Sequence, residues 1–333
     1  MQDLKPPFKF DFRAHLKDAR RKFNRHVGPL PRQQCGGPAE ACVTPPRRMS
    51  TTNASCGKDS LDVPRIARLG LCAVGIVAAS SVLAGSIQQP GETSGIALGP
   101  PLPQGVYFVN FLNYGVRQSS PRVNTTVDIP ILLWSTPWTI AGGRVLLGVS
   151  APAVNVGVHG GSGFGDWYYP ETIYGLGWHI TPQLSASIIG ATYYPVKNEL
   201  TKALIGDRGT NRFGGAVTYA NDGWTFSAYT QYGIPYGSDA SVPGGDHQWF
   251  NLDLTAMKSL GKWQLGVVGY GSTDTTSPYK GYKKQSQMAV GSLVGYDFGP
   301  LTLQAKVTTE FSEANYGGLD TRLWSNLIVP LRF

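Results

Sequence analysis

Cysteine, long apolar runs and net charge are all scarce in residues 85–333, the larger part of this 333-residue chain. All four cysteines lie in the first 84 residues, at Cys35, Cys42, Cys56 and Cys72. Without cysteine, the larger part has neither a disulfide framework nor a zinc–thiolate site. Its apolar runs fall well short of the roughly 20 residues that a membrane-spanning helix needs, so it is not a helical membrane protein.

The basic excess of the chain is confined to its N-terminal quarter. A formal net charge of +8 would suit a nucleic-acid-binding protein. Residues 1–84, however, hold 14 of the 29 Lys and Arg and 6 of the 21 Asp and Glu. Residues 85–333 hold 15 of each and are formally neutral. We therefore expect no nucleic-acid partner for the larger part.

The N-terminal part contains a pattern typical of a secretory signal peptide. Arg65 and Arg68 precede an apolar run at residues 69–79, and small residues follow, with Ala84 at the cleavage position. The alternatives are a single membrane anchor or a buried core helix, but the run is short for an anchor and no stop-transfer pattern follows it. The lipidated cysteine of a lipoprotein is replaced by Ser86, so we predict cleavage near Ala84 without lipidation.

Met49 is a plausible translation start, which would make residues 49–84 the signal peptide. Residues 1–48 are rich in Arg, Lys and Pro and show no sustained hydrophobic period. They are either a basic interaction arm or an untranslated upstream extension of the gene, and the second interpretation is favoured. Residues 85–333 then form the mature domain.

Period-two alternation runs through this domain and predicts strands with two unlike faces. In residues 249–257, for example, Phe250, Leu252 and Leu254 share one face, whereas Asn251 and Asp253 share the other. The alternation predicts twelve strands near residues 105–117, 124–136, 142–156, 169–180, 183–194, 210–220, 223–234, 247–259, 262–272, 285–298, 300–313 and 321–333.

Short turns and long loops alternate between these strands, which is the layout of an outer-membrane barrel. The predicted fold is an all-β transmembrane antiparallel barrel of about 12 strands, closed by the C-terminal strand. Aromatic residues near strand ends suit the two membrane interfaces: Tyr193, Tyr194, Trp224, Trp249, Trp263 and Phe298. A soluble β-sandwich also alternates, but its strands would usually be shorter.

The C-terminus carries a second indication of an outer-membrane barrel. Phe333 ends the chain, and Leu327, Val329 and Leu331 precede it at alternate positions. This resembles the signal read by the barrel assembly machinery, which we expect to be a partner through Phe333. Membrane lipid is the other expected partner, in the outer membrane of a Gram-negative bacterium.

Several segments resemble one family of barrels. Residues 105–114 resemble its opening strand. Gly163-Phe164-Gly165-Asp166, followed by Leu176-Gly177-Trp178-His179, resembles its central signature, and residues 209–213 resemble the next block. The family is that of the transporters associated with the meta-pathway of phenol degradation, and the resemblance covers roughly residues 98–333. It implies an outer-membrane channel for aromatic or other hydrophobic compounds.

Polar residues on the predicted inner face are the candidates for solute contact, because a charge facing lipid would cost roughly 2–4 kcal/mol near the midplane for Lys or Arg. They are Asn251, Asp253, Gln304, Lys306, Glu310 and Arg322. The favoured interpretation is a salt-bridged network that fills or narrows the barrel, and the alternative is a set of groups that select solutes.

The Gly-rich stretch at residues 160–166 fails the dinucleotide pattern and is not followed by a helix. We expect a tight bend here, with Asp166 bonded to local backbone. Gly163, Gly165 and Asp166 are candidates for a loop gate.

The predicted function is passive uptake of small hydrophobic or aromatic solutes, without a cofactor or a metal. No histidine pair in residues 85–333 has metal-ligand spacing. A structural or adhesive barrel that binds partners through its loops is one alternative. A barrel enzyme that depends on His179 or His247 is another, although no matching nucleophile–base constellation is evident.

Overall fold

The computed structural model describes residues 86–161, 163–204, 208–237 and 246–331. The extension at 1–48, the signal peptide at 49–84, its cleavage position and Phe333 lie outside the described residues, so these expectations stay predictions. No helix among the described residues is long and apolar enough to cross a membrane.

Fourteen strands and one short helix make up the described chain. They are β1 (Gly105–Arg117), β2 (Val123–Ile140), β3 (Gly143–Ser150), β4 (Ala153–Val158), β5 (Phe164–Trp167), β6 (Glu171–His179), β7 (Leu184–Tyr193), α1 (Glu199–Leu204), β8 (Gly209–Asn221), β9 (Trp224–Tyr236), β10 (Trp249–Leu260), β11 (Trp263–Asp274), β12 (Ser286–Asp297), β13 (Thr302–Ala314) and β14 (Asp320–Leu331).

Twelve of these strands close into an antiparallel barrel: β1, β2, β3 and β6 to β14. Closure is made by the first and last strands, which pair from Val106 opposite Leu331 to Arg117 opposite Asp320. The predicted twelve-stranded barrel closed by its C-terminal strand is confirmed. A closed sheet leaves no strand edge unpaired, which is what a bilayer requires, since lipid cannot hydrogen-bond backbone groups.

The predicted third strand, at 142–156, is wrong: the chain breaks at Ala151 and Pro152 into β3 and β4. The long strand β2 pairs with β3 from Ile131 onward and with β4 before that. Proline has no N–H to continue the ladder, so the change of partner falls where Pro152 stands. Next, β4 pairs with β5, so residues 164–167 form a strand where a bend was expected.

The two faces of the barrel wall differ as the alternation predicts. Large apolar side chains such as Val267, Val290 and Leu323 are exposed on the outer face, where lipid would cover them. Four of the six aromatic residues expected at the interfaces are also exposed, but Tyr193 and Trp249 are buried inside the barrel. For Trp249 the reason is the alternation itself, because this residue shares its face with Asn251 and Asp253.

The connections divide into a short-turn end and a long-loop end. The turns after β2, β6, β8, β10 and β12 span two to four residues each, whereas longer segments follow β7, β9 and β11 at the other end. In outer-membrane barrels the short turns face the periplasm and the long loops face outward. The long-loop end also holds β4, β5 and α1.

Candidate functional site

Residues 86–104, here called the luminal segment, lie inside the barrel ahead of β1. Between Gln89 and Ile96 the backbone makes a run of tight turns, with N–H groups bonded to carbonyls three residues earlier. Gly91 and Gly95 take positive φ values of 85° and 92° in this run, a conformation that favours glycine. These turns fold the segment into a compact body that fits the lumen.

Two side chains of opposite charge, three strands apart in the wall, hold the turns. The Asp253 carboxylate of β10 accepts hydrogen bonds from the backbone N–H groups of Gly91 (3.0 Å) and Thr93 (3.2 Å) and from the Thr93 hydroxyl (2.5 Å). From β13, the Lys306 ammonium donates to the carbonyl oxygens of Gly91 (3.0 Å) and Ser94 (2.6 Å). Charge-assisted bonds of this kind are about twice as strong as neutral ones.

Neutral groups of the same wall add to this attachment. The Gly95 N–H donates to the Thr255 hydroxyl (2.7 Å), and the Gln304 amide donates to the Gly95 carbonyl (3.0 Å). The Asn251 amide donates to the Ser86 hydroxyl (2.8 Å). The packing is close, since a Cβ at Gly95 would lie 2.4 Å from Leu293.

A buried ion network fills the long-loop half of the lumen near β1, β13 and β14. The Arg117 guanidinium lies 3.0 Å from Glu310 and 3.6 Å from Asp320. Arg322 pairs with Asp320 at 2.6 Å and donates to the Asn113 side-chain oxygen at 2.6 Å. Buried ions need such partners, because an unpaired one would carry its full desolvation cost.

The structure therefore places all six predicted inner-face residues inside the barrel, each buried. Four of them (Asn251, Asp253, Gln304 and Lys306) bond the luminal segment, Glu310 belongs to the ion network, and Arg322 belongs to that network and also lies 3.4 Å from Gln89. None of them lines the cavities described below. Their contact with a solute stays a prediction.

The predicted gate residues lie on the hairpin of β4 and β5. Gly165 and Asp166 border an open, outward-facing hollow with Thr126 and Asp128. The Asp166 carboxylate accepts a hydrogen bond from the adjacent Trp167 N–H at 2.8 Å, which is the local backbone bond expected of it. A gating role for Gly163, Gly165 and Asp166 stays a prediction.

An apolar cavity of about 150 Å³, here called the inner cavity, lies between the luminal segment and the wall. It extends toward the short-turn end. Its apolar lining comes from the luminal segment, at Ile96, Leu98 and Leu102, and from strands β1, β2, β3, β6, β7 and β14, at Val109, Phe111, Ile131, Leu133, Leu146, Ile173, Leu176, Ile189 and Ile328. Sealed apolar cavities of about this volume bind molecules the size of benzene.

A few polar groups meet at one end of the inner cavity. Arg212 of β8 lies 3.8 Å from the Glu171 carboxylate and donates to the Tyr193 hydroxyl at 3.0 Å. Tyr229 also borders the inner cavity, and its buried hydroxyl has no hydrogen-bond partner among the described residues. An apolar pocket with a few converging polar groups is the usual form of a small-molecule site.

Glu92 of the luminal segment also borders the inner cavity. Burial, with the neighbouring Glu171 carboxylate, raises the pKa of this carboxyl from 4.5 to about 8. Its side chain accepts a hydrogen bond from the Gln88 amide at 2.8 Å. Sequence reasoning missed Glu92, Glu171 and Arg212. The available signal for a segment inside the barrel was the Pro-rich apolar stretch at residues 96–103, just ahead of the first strand.

A second cavity, here called the outer cavity, lies closer to the long-loop end and holds about 30 Å³. The luminal segment lines it with Ile87 and Gln88, and the wall lines it with Val127, Val154 and Tyr168. Glu92 and Glu171 line both cavities. The two spaces are thus neighbours, separated at these two carboxyl groups.

The two histidines considered for catalysis lie at opposite ends of the barrel. His179 ends β6 at the short-turn end, with its Nδ1 3.0 Å from the Ser185 hydroxyl. His247 precedes β10 at the long-loop end, with its Nε2 3.3 Å from an Asp274 carboxylate oxygen. Within the described ranges, no three His, Cys, Asp or Glu side chains come close enough together to bind a metal ion.

Residues 103–327 match the family described as "Putative MetA-pathway of phenol degradation". The chain belongs to this family. The match begins within the luminal segment and ends within β14, so it covers β1 to β13 and most of β14 of the phenol-degradation family barrel. The resemblance seen in the sequence is confirmed.

The fold also occurs in a solved structure. An outer-membrane channel from Pseudomonas putida F1 superposes with a TM-score of 0.60 at 11% identity, over 73% of this chain and 100% of that one. The translocator domain of the autotransporter NalP from Neisseria meningitidis reaches only 0.43 at 9% identity, over 81% and 97%. No curated protein matches the sequence. The phenol-degradation family member thus has the fold of a Gram-negative outer-membrane channel barrel.

Proposed function

We propose that the protein conducts small hydrophobic solutes, aromatic compounds among them, across the outer membrane and binds them in the inner cavity. The observation that carries this proposal is the apolar lining of that cavity inside a membrane-spanning barrel. A pore for hydrophilic solutes would present polar side chains to its passage, as porins do. Here Ile131, Ile173 and Ile189 face the lumen instead.

The volume and the polar end of the cavity support a small solute with an apolar body. About 150 Å³ accommodates a single ring, and the free Tyr229 hydroxyl could accept or donate one hydrogen bond. Membership of a family named for phenol degradation is consistent with this solute class. Transport of this kind is passive, and its direction follows the solute gradient.

Toluene entry into vesicles with a lipopolysaccharide outer leaflet tests the proposal, because that leaflet slows hydrocarbons. We expect vesicles with the protein to take up labelled toluene severalfold faster than empty vesicles. Ala97→Phe should slow entry severalfold, since Ala97 borders the inner cavity and the ring would fill it. Ala305→Phe is the matched control, because Ala305 is exposed on the outer face of β13. Equal toluene entry with and without protein would contradict the proposal.

A further inference from the structure

The turns of the luminal segment are attached to one side of the barrel, whereas its following stretch bonds to β2, β7 and β8 through Ser135, Ser187 and Thr218. Its turns, from Ser86 to Ile96, bond to the inner faces of β10 and β13 through Asp253, Thr255 and Lys306, among others. Close packing reinforces this side, since a Cβ at Gly91 would lie 2.4 Å from the Tyr270 ring of β11. Neither of the two cavities is lined by a residue of β10 to β13.

The two cavities lie on the opposite side of the segment, end to end along the barrel axis. The inner face of β2 shows their order. Val127 and Ile129 line the outer cavity, and Ile131 and Leu133, the next inward-facing residues, line the inner cavity. Together they form a seam, the space between the luminal segment and strands β2, β6 and β7.

Between the two cavities the seam is closed where Glu92 faces it from the luminal segment and Glu171 faces it from β6. Both side chains are almost fully buried. Glu171 Oε2 has no hydrogen-bond partner among the described residues, and the nearest cation, Arg212, lies 3.8 Å away. A ring cannot pass between the cavities until these side chains move, and the outer cavity, at about 30 Å³, has to widen around it.

We propose that solutes pass along this seam while the luminal segment stays attached to β10 and β13, with Glu92 and Glu171 forming the constriction that opens. The proposal rests on the proposed function and specifies its route. Withdrawal of the segment would break every bond to Asp253 and Lys306. Rotation of the Glu92 and Glu171 side chains would break only the Gln88 bond to Glu92 and local contacts of Glu171.

A cross-link at the N-terminal end of the luminal segment, whose other end is fixed in β1, distinguishes passage along the seam from passage after withdrawal of the segment. The C-terminal end of the segment is already fixed, because Gly105 begins β1. At its other end, the Ser86 and Asn251 side chains lie 2.8 Å apart. We would introduce Ser86→Cys with Asn251→Cys, replace the four native cysteines by serine, and join the pair with a short bifunctional thiol reagent that reduction releases. Residues 85–333 hold no other cysteine.

We expect the cross-linked protein to admit toluene at the same rate as the reduced protein. Loss of entry on cross-linking, with recovery on reduction, would overturn the proposal, since it would show that the segment has to leave. The same protein serves as its own control for folding and insertion.

The constriction is tested in the cross-linked protein with Glu92→Ala, which shortens the side chain that closes the seam. We expect severalfold higher single-channel conductance in planar bilayers and faster toluene entry. Glu313→Ala is the matched control, because Glu313 borders neither cavity and bonds the Tyr316 N–H near the long loops. Equal conductance in the two variants would overturn the assignment of Glu92.

Conductance also distinguishes failure of the route from failure of the proposed function. If Glu92→Ala raises ion conductance in the cross-linked protein while toluene enters no faster than into empty vesicles, the seam is the route and the solute class is wrong. If Glu92→Ala raises neither the ion conductance nor the toluene entry of the cross-linked protein, the route is wrong.

Discussion

The Glu92 carboxyl lies inside the barrel with the carboxylates of Glu171 and Asp253 on two sides and the Arg212 guanidinium on a third. Lys306 of β13 also faces this region and donates to the Glu92 backbone carbonyl at 3.3 Å. Burial and the two carboxylates outweigh the guanidinium and raise the pKa of Glu92 to about 8. The neutral acid is therefore favoured below about pH 8. Glu92 can thus close the seam without adding a charge to it.

The raised pKa of Glu92 makes stability depend on pH. The folded protein keeps a proton that the unfolded chain releases above about pH 4.5, so stability falls as the pH rises from about 4.5 to about 8. We expect Glu92→Gln to remove this fall. The measurement is the urea midpoint at about pH 5 and about pH 8 for the wild type, Glu92→Gln and the control Glu313→Gln. A wild type whose midpoint changes no more than that of Glu92→Gln would contradict the prediction.

Individual inner-face residues were predictable, but their partners were not. Alternation alone places Asp253 and Lys306 on the inner face, because period two fixes the face of every residue in a strand. Their ligands lie in residues 86–104, where neither strand nor helix periodicity appears. The bonds to Gly91 and Ser94 depend on a run of turns that packs against the enclosing wall, so sequence reasoning could not find them.

At the scale of elements, the strand limits follow the local signals closely. The turn after β8 has positive φ at Asp222 (47°) and Gly223 (77°), as the Asn-Asp-Gly sequence predicts for a tight hairpin. The exception is residues 142–167, in which β3 and β4 both pair with β2. Pro152 marks the break, but the pairing of β4 with β5 depends on the exposed end of β2, which local sequence does not reveal.

The turns of the luminal segment provide a prediction at this scale. Gly91→Ala and Gly142→Ala both place alanine at positive φ (85° and 76°), which costs about 1–2 kcal/mol. A Cβ at Gly91 would also lie 2.4 Å from the Tyr270 ring, whereas at Gly142 it meets nothing within 4 Å. We expect Gly91→Ala to lose clearly more stability and to raise ion conductance. The urea midpoints and planar-bilayer currents of the two variants check this, and equal loss would mean that the turn does not pack tightly on β11.

At the scale of the whole molecule, the charge of the chain and the charge of the barrel are different quantities. The excess of +8 belongs to residues 1–84, and in the formally neutral remainder Arg117 and Arg322 pair with Glu310 and Asp320 inside the barrel. The outer wall carries exposed Val, Leu, Phe and Trp side chains. Composition and period two were enough to predict this arrangement, because a bilayer imposes it on every strand.

The position of the bilayer on this wall is testable with a lysine at two depths. Val267 lies near the middle of the outer face of β11, and Thr273 lies on the same face near the long-loop end. Val267→Lys should destabilise the barrel by about 2–4 kcal/mol and Thr273→Lys by about 0–1 kcal/mol. Reversible unfolding in lipid vesicles measures both. Similar costs at the two positions would show that the membrane does not lie across the middle of β11.

The pairing of β1 with β14 has a consequence for how the protein is made. The luminal segment joins β1 directly at Gly105, and β1 pairs with the last strand of the chain to be synthesised. Once Val106 and Leu331 are opposite each other, the wall is a complete ring around residues 86–104. The contacts of the segment with β10 and β13 join residues more than 150 positions apart, such as Gly91 and Asp253. Such distant pairings form slowly, so the last step of assembly would both seal the wall and capture its contents.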